Sequence, residues 1–458
     1  MTELDTDALS RYVRQEMTER MVPGLALAVV TPDRPMWTAG FGVTAVDDGA
    51  PVTGRTLFRI ASVTKVFTGV AVLRLVEQGV LDLDTTVLDH VPELRLRTRG
   101  TAERITLRML LSHTSGLPEG SIERPWRVER RGEDGLDAFV REDLPRFPAV
   151  GEPGELYFYS NLAVNLAGHV AQRATGTPFP QLLDELALTP LGVERTTADP
   201  TVAMTFPLAQ RHIITDGRLR VRHDGGDNTA FYPSGQLFST AEDLGTLLQG
   251  LMGDLLSPRM TAEMRRPHAD VGLARGLSSG LACMVEPDYK GVTRIGHEGV
   301  LRGYCAKIAW TDRVGVAVVY NHEYNEHPRF FASRDRIVDR VFDEVLGLPP
   351  GPVPPPATSV PGPVAERLTG RYAKVLSPSV VEVRPGRDGL TLLLEGVELP
   401  LSATGRGVFV GPRTDRDLAE LPWPRTPYVI DDHVSVGAPE NGPVHTITVN
   451  GQPYRRVE

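Results

Sequence analysis

Between residues 62 and 79 the apolar positions recur every three to four residues. Val66, Val70, Leu73 and Val76 share a face and Gly79 closes the pattern, so the spacing predicts a helix. Residues 4–20 repeat the period with more polar positions and predict an amphipathic helix. Between these two, "GLALAVVTPDRPMWTAGFGVT" sets two short apolar runs around a Pro-Asp turn, the pattern of a hairpin. From about 85 to 255 the chain reads as helical segments and loops. The pattern then changes: "GLACMVEP", "VTRIGHE", "GYCAKIAWT" and "VGVAVVYNH" are apolar runs separated by turn signals such as Pro287-Asp288 and Thr311-Asp312. Runs this apolar and this closely linked predict an antiparallel sheet covered by helices on at least one face. A last amphipathic stretch, 332–346, predicts a helix packed back on that sheet. Segments from both ends joining one sheet, with a helical subdomain inserted at about 85–255, predict an α/β (α+β) sandwich over residues 1–348.

Composition changes at 349–363, where "PPGPVPPPATSVPGP" holds eight prolines in fifteen residues and reads as a stiff linker, neither helix nor central strand. Residues 364–458 alternate short strands with Gly-rich turns and predict a small all-β closed barrel. The whole chain has 458 residues, 23% of them charged, and a net charge of −9, which argues against a nucleic-acid partner. Cys283 and Cys305 are too few for a disulfide framework, and each lies in an apolar strand-like run, so buried thiols in a reducing compartment are expected. The acidic first 21 residues lack a basic region leading into an apolar one, and the longest early apolar run has nine residues. A cytoplasmic protein without a membrane anchor is the expectation.

Chemistry enters with a scarce residue. Only four of the 49 basic residues are lysines, and Lys65 follows Ser62 by one helical turn. Side chains at i and i+3 share a helix face and lean toward the N-terminus, so Lys65 would fold back over Ser62. A neutral ε-amine can deprotonate a serine, and the unpaired N–H groups of a helix start can bind an oxyanion. Among 17 serines and four lysines such a pair also arises by chance, and a capping serine before a surface lysine would look the same. Two further segments offer partners. Tyr159 and Asn161, in "YSN" at the start of an amphipathic helix, supply a phenol to relay a proton and an amide to hold lysine and substrate. His297, before Glu298 and Gly299 on a strand edge, supplies an imidazole that orients the phenol.

Ser62-Val63-Thr64-Lys65, Tyr159-Ser160-Asn161 and His297-Glu298-Gly299, in this order, resemble the serine β-lactamase and penicillin-binding-protein superfamily. The class C-like branch, with its D-aminopeptidases, esterases and acyltransferases, is the nearest in pattern. "ITLRMLLSHTSGL", "PGELYFYSNLAVNLAG", "PLGVERT" and "GHEGVLRGY" extend the resemblance over about 22–346, and "LTGRYAKV" resembles the start of a lipocalin-like appendage. The resemblance implies that Ser62 is the acylated nucleophile, Lys65 its base, and Tyr159 the group that protonates the leaving group and activates the acceptor. It further implies that Asn161 binds the substrate carbonyl region and that the N–H groups of Ser62 and Val300, next to Gly299, form the oxyanion hole. His113 matches a position of structural support. No cofactor or metal is implied. His297 stands where many relatives carry a lysine, which removes a carboxylate anchor and argues against efficient β-lactam or DD-peptide turnover.

The implied substrate is an ester or amide, with hydrolysis by an esterase, amidase or D-aminopeptidase-like enzyme. Two alternatives stay open: transfer of an acyl group to an amine or hydroxyl, as by a penicillin-binding-protein-type thioesterase, and a non-turnover sensor. Ser278 in "GLSSG" is a rival nucleophile, but that elbow needs a helix after it and a strand follows. The histidines of "NHEYNEH" are five apart rather than four and sit after a strand, a poor zinc motif. Trp126, in the loop "SIERPWRVERRG", is the expected substrate contact.

Overall fold

The structure, a computed structural model, describes residues 4–120, 128–216, 218–223, 226–272, 276–301, 303–322, 332–351, 358–374, 379–386, 389–394, 396–405, 408–412, 433–438, 444–449 and 452–457. Trp126, with most of its loop, and all but the first two residues of "NHEYNEH" lie outside these.

An eight-stranded antiparallel sheet organises the first three-quarters of the chain. Its spatial order is 35–42, 24–30, 315–320, 304–310, 292–301, 284–289, 278–279 and 269–270. Gly24–Val30 is buried at every position, as an apolar run between two covered faces requires. Its alternate residues divide the core: Leu25, Leu27 and Val29 pack under the helices Thr6–Glu19 and Ala332–Leu346, while Ala26, Ala28 and Val30 face the helical subdomain. The central element of that second core is the helix Thr64–Glu77, eleven of whose fourteen residues are buried. The fold is the β-lactamase/transpeptidase sandwich, with an eight-stranded barrel, Gly370–Arg456, closed by pairing of its first and last strands.

Three local expectations change. The run "GLACMVEP" does not begin as strand: Ala282 has φ +58°, Cys283 lies in a bend, and pairing starts at Met284. Both cysteines are nonetheless buried free thiols. Within the region read as helices and loops, Arg211–Thr215 and Arg218–Arg222 form a two-stranded hairpin, its polar alternation too short to stand out. The proline-rich segment is not devoid of structure either. Thr358 bridges to Ala403, and the helix Gly362–Leu368 starts inside the segment, because a proline in a helix's first turn forfeits no intrahelical hydrogen bond.

Candidate active site

Ser62 occupies a 3₁₀ turn, Ala61–Val63, that runs directly into the helix Thr64–Glu77. The preceding residue, Ala61, is held at φ +48°, a left-handed conformation that costs an L-residue about 1–2 kcal/mol and swings the serine to the head of the helix. Lys65 is fully buried one turn on. Its Nζ lies 3.0 Å from Ser62 Oγ and donates to Asn161 Oδ1 at 2.7 Å and to the Ser234 carbonyl at 2.6 Å. Burial pushes the amine well below its usual range, and the Glu119 carboxylate only partly opposes this. A neutral amine has two N–H groups and one lone pair. With both N–H groups taken by carbonyl oxygens, the lone pair is left for the serine hydroxyl.

Asn161 reaches the lysine because the residue before it does the capping. Ser160 Oγ accepts from the Ala163 amide at 2.9 Å at the start of the helix Asn161–Thr175 and donates to the Pro118 carbonyl. The Asn161 side chain is thereby released for the site. The Ser160 amide donates to His113 Nδ1 at 3.1 Å, so the His113 proton sits on Nε2, and its ring lies 4.5 Å from that of Tyr159. Desolvation, with Lys65 and His297 nearby, keeps His113 well below its usual range and neutral. Tyr159 itself presents its ring to Lys65 Nζ at 4.9 Å and to the ring of His297 at 6.3 Å. Ser62, Lys65, Tyr159, Asn161 and His297 are therefore gathered in one place.

His297 is 2% exposed rather than solvated. Its Nδ1 lies 2.6 Å from the Glu298 carbonyl, which fixes the proton there and leaves Nε2 as a lone-pair acceptor. Burial and the nearby Lys65 lower it to about 3, so the ring is neutral. The strand carrying it, Val292–Leu301, pairs on one side with 284–289 only as far as Gly296, and on the other with 304–310 from Ile295 to Leu301. The closing pairs Tyr289↔Val292 and Leu301↔Tyr304 set the hydrogen-bonding parity. Even-numbered residues direct their N–H and C=O toward 284–289. Past Gly296 no strand among the described residues pairs with that edge, and this parity turns the Val300 N–H toward it. Gly299 lets the strand pass close to the serine turn: a Cβ there would fall 2.1 Å from the Ile60 carbonyl. The amides of Val300 and of Ser62, at the helix start, can together take an oxyanion.

One feature of the site has no sequence signal. The turn Tyr232–Gly235 supplies backbone carbonyls to Lys65 and, from Pro233, to Thr68 Oγ1 at 2.6 Å. Any residue type can present a carbonyl, so composition does not mark it. Ser278 is buried in a two-residue strand with no helix after it, and the elbow geometry is absent. Among the described residues no cluster of His, Cys, Asp or Glu could hold a metal, and no helix is long and apolar enough to cross a membrane.

The Beta-lactamase family model matches residues 9–340. Protein flp of Staphylococcus aureus (strain MW2) is 30% identical over 195 residues, covering 42% of this chain and 38% of that protein. Esterase EstB of Burkholderia gladioli is 37% identical over 188 residues, 39% of this chain and 48% of the esterase. The match thus spans less than half the length of these curated relatives. Two solved structures align with nearly the whole chain. SurE does so at TM-score 0.74 and 25% identity, covering 98% of each chain. An octameric penicillin-binding protein homologue from Pyrococcus abyssi does so at TM-score 0.66 and 22% identity, covering 98% of this chain and 100% of that one.

Proposed function

Because the chain belongs to the Beta-lactamase family, whose members are serine hydrolases and acyltransferases, we propose that it is a serine hydrolase working through an acyl-enzyme on Ser62, with neutral esters or amides as substrates. The observation that carries this reading is the buried Lys65 amine, with Ser62 Oγ at 3.0 Å and both N–H groups engaged by carbonyl oxygens. Lys65 takes the Ser62 proton as Oγ attacks the substrate carbonyl. The oxyanion forms against the amides of Ser62 and Val300, and Tyr159 delivers a proton to the leaving group. Collapse of the tetrahedral adduct leaves the acyl group on Ser62, and water, activated through Tyr159, completes hydrolysis. Asn161 keeps Lys65 in register. Identity of 37% to an esterase over 188 residues supports the ester end of the range.

The neutral His297 defines the substrate further. An acceptor nitrogen, without the charge of an ammonium, suits a substrate N–H or O–H donor and offers a carboxylate nothing. The test incubates the protein with D- and L-aminoacyl esters and thioesters, with and without amine acceptors, and follows turnover together with the intact mass. An adduct on Ser62, absent from Ser62→Ala, with turnover lower by several orders of magnitude in that variant, is the expected result. Near-normal turnover in Ser62→Ala, or its loss only in Ser278→Ala, refutes the mechanism. A stoichiometric adduct without turnover marks a sensor instead.

A further inference from the structure

Lys65 is held by a polar layer that the mechanism above leaves partly unaccounted for. Asn161, Asn165 and Gly168 stand at i, i+4 and i+7 of one helix and so share a face. Asn161 meets Lys65 at one end of that face, and Gly168 meets Pro233 at the other, where an added Cβ would lie 2.5 Å from the proline ring. Asn165 stands between them on that face, and its helix packs against both the turn Tyr232–Gly235 and the helix that carries Lys65. It is 0% exposed, yet neither Oδ1 nor Nδ2 has a hydrogen-bond partner among the described residues. Ser234, 1% exposed, has an Oγ in the same condition, although its own carbonyl accepts from Lys65. Buried amides and hydroxyls are rarely left unpaired, and each of these two calls for a partner.

We propose that Asn165 and Ser234 enclose a buried water site directly behind Lys65. Water is the species that matches this donor set. The amide offers one acceptor and one donor, the hydroxyl offers either, and two to four such partners are what an internal water needs. A metal cation has no carboxylate here and faces the lysine. The water pins the Ser234 peptide, whose carbonyl orients the Lys65 amine, and it gives the Lys65 ammonium formed during acylation a polar neighbour. Asn165 and Ser234 are thus positioning residues, and the inference rests on Lys65 being the base.

The experiment measures the pH dependence of kcat/KM for p-nitrophenyl acetate in Asn165→Leu, Ser234→Ala and Lys65→Ala. Leucine keeps the branching of asparagine at Cγ but has no polar atom to hold the water. The expected result is a fall in kcat of about tenfold, the equivalent of one hydrogen bond, with KM little changed. The acid limb should shift to lower pH, since a drier surround disfavours the ammonium. Ser234→Ala shifts the limb the same way and covers the case in which Asn165→Leu does not fold. Unchanged kinetics in the folded variants, most clearly with a raised Tm in Asn165→Leu, would mean a dry orphaned amide and overturn the proposal. Lys65→Ala separates the two failures: loss of turnover there with unchanged Asn165→Leu kinetics overturns only the water site, whereas normal turnover in Lys65→Ala removes the reading beneath it.

Discussion

Lys65 and Lys307 are both buried, on opposite faces of the same sheet, and their surroundings differ in kind. Lys307 meets two carboxylates, those of Asp335 and Glu298, and Arg334 closes the cluster on Glu298 at 2.5 Å. Lys65 meets a hydroxyl, an amide oxygen and a backbone carbonyl, with no carboxylate in hydrogen-bond contact among those described. The first arrangement keeps a charge by pairing it, and the second displaces the charge by desolvation. The same division runs between neighbours on the strand Val292–Leu301. Glu298 is tied to two cations, while His297 is neutral with an Nε2 that has no partner among the described residues. Paired buried charges brace the strand from behind. The neutralised ones, Lys65 and His297, gather around Tyr159 beside Ser62.

Two lysine substitutions test that division. Lys65→Met should remove ester turnover by several orders of magnitude while leaving a folded protein, as activity and circular dichroism together would reveal. Lys307→Met should do the reverse. It leaves buried carboxylates short of a partner, so stability falls by about 3–5 kcal/mol in denaturant titration, with kcat of the folded fraction changed by less than tenfold. Comparable loss of turnover in both variants would erase the distinction.

A smaller effect belongs to His297. Its folded value is about 3 against about 6.5 in the unfolded chain, so between these pH values only the unfolded state takes up the proton. The stability that the neutral ring contributes is complete above pH 6.5 and drains away as pH falls toward 3, by about 1.4 kcal/mol per unit. His297→Gln should therefore lose less stability than the parent between pH 7 and pH 4.5 in guanidinium titrations. Equal losses in the two proteins would show that the ring is not held neutral.

How much of this could be read in advance depends on what each element asks of its residues. The helix after Ser62 and the strands at 24–30, 304–310 and 315–320 are apolar runs with a clear period, and burial on both faces leaves them no alternative. The strand at Met284 starts later than its apolar run suggests, because Leu281 to Cys283 fill core space in a bend before it. The Ser62–Lys65 spacing, Tyr159, Asn161 and His297 were visible because their side chains carry chemistry. The Tyr232–Gly235 turn acts through carbonyls, which every residue has. Asn165 belongs to no motif, and only its complete burial one turn beyond Asn161 gives it meaning.

The pH profile of kcat/KM on a neutral ester tests the central claim, that Lys65 is a buried amine kept neutral by desolvation, most directly. A single acid limb lying far below 10.5, with a plateau above it that extends through neutral pH, is the expected result. Activity that climbs only as pH nears 10.5 would show that Lys65 keeps its proton at neutral pH, and would contradict the account.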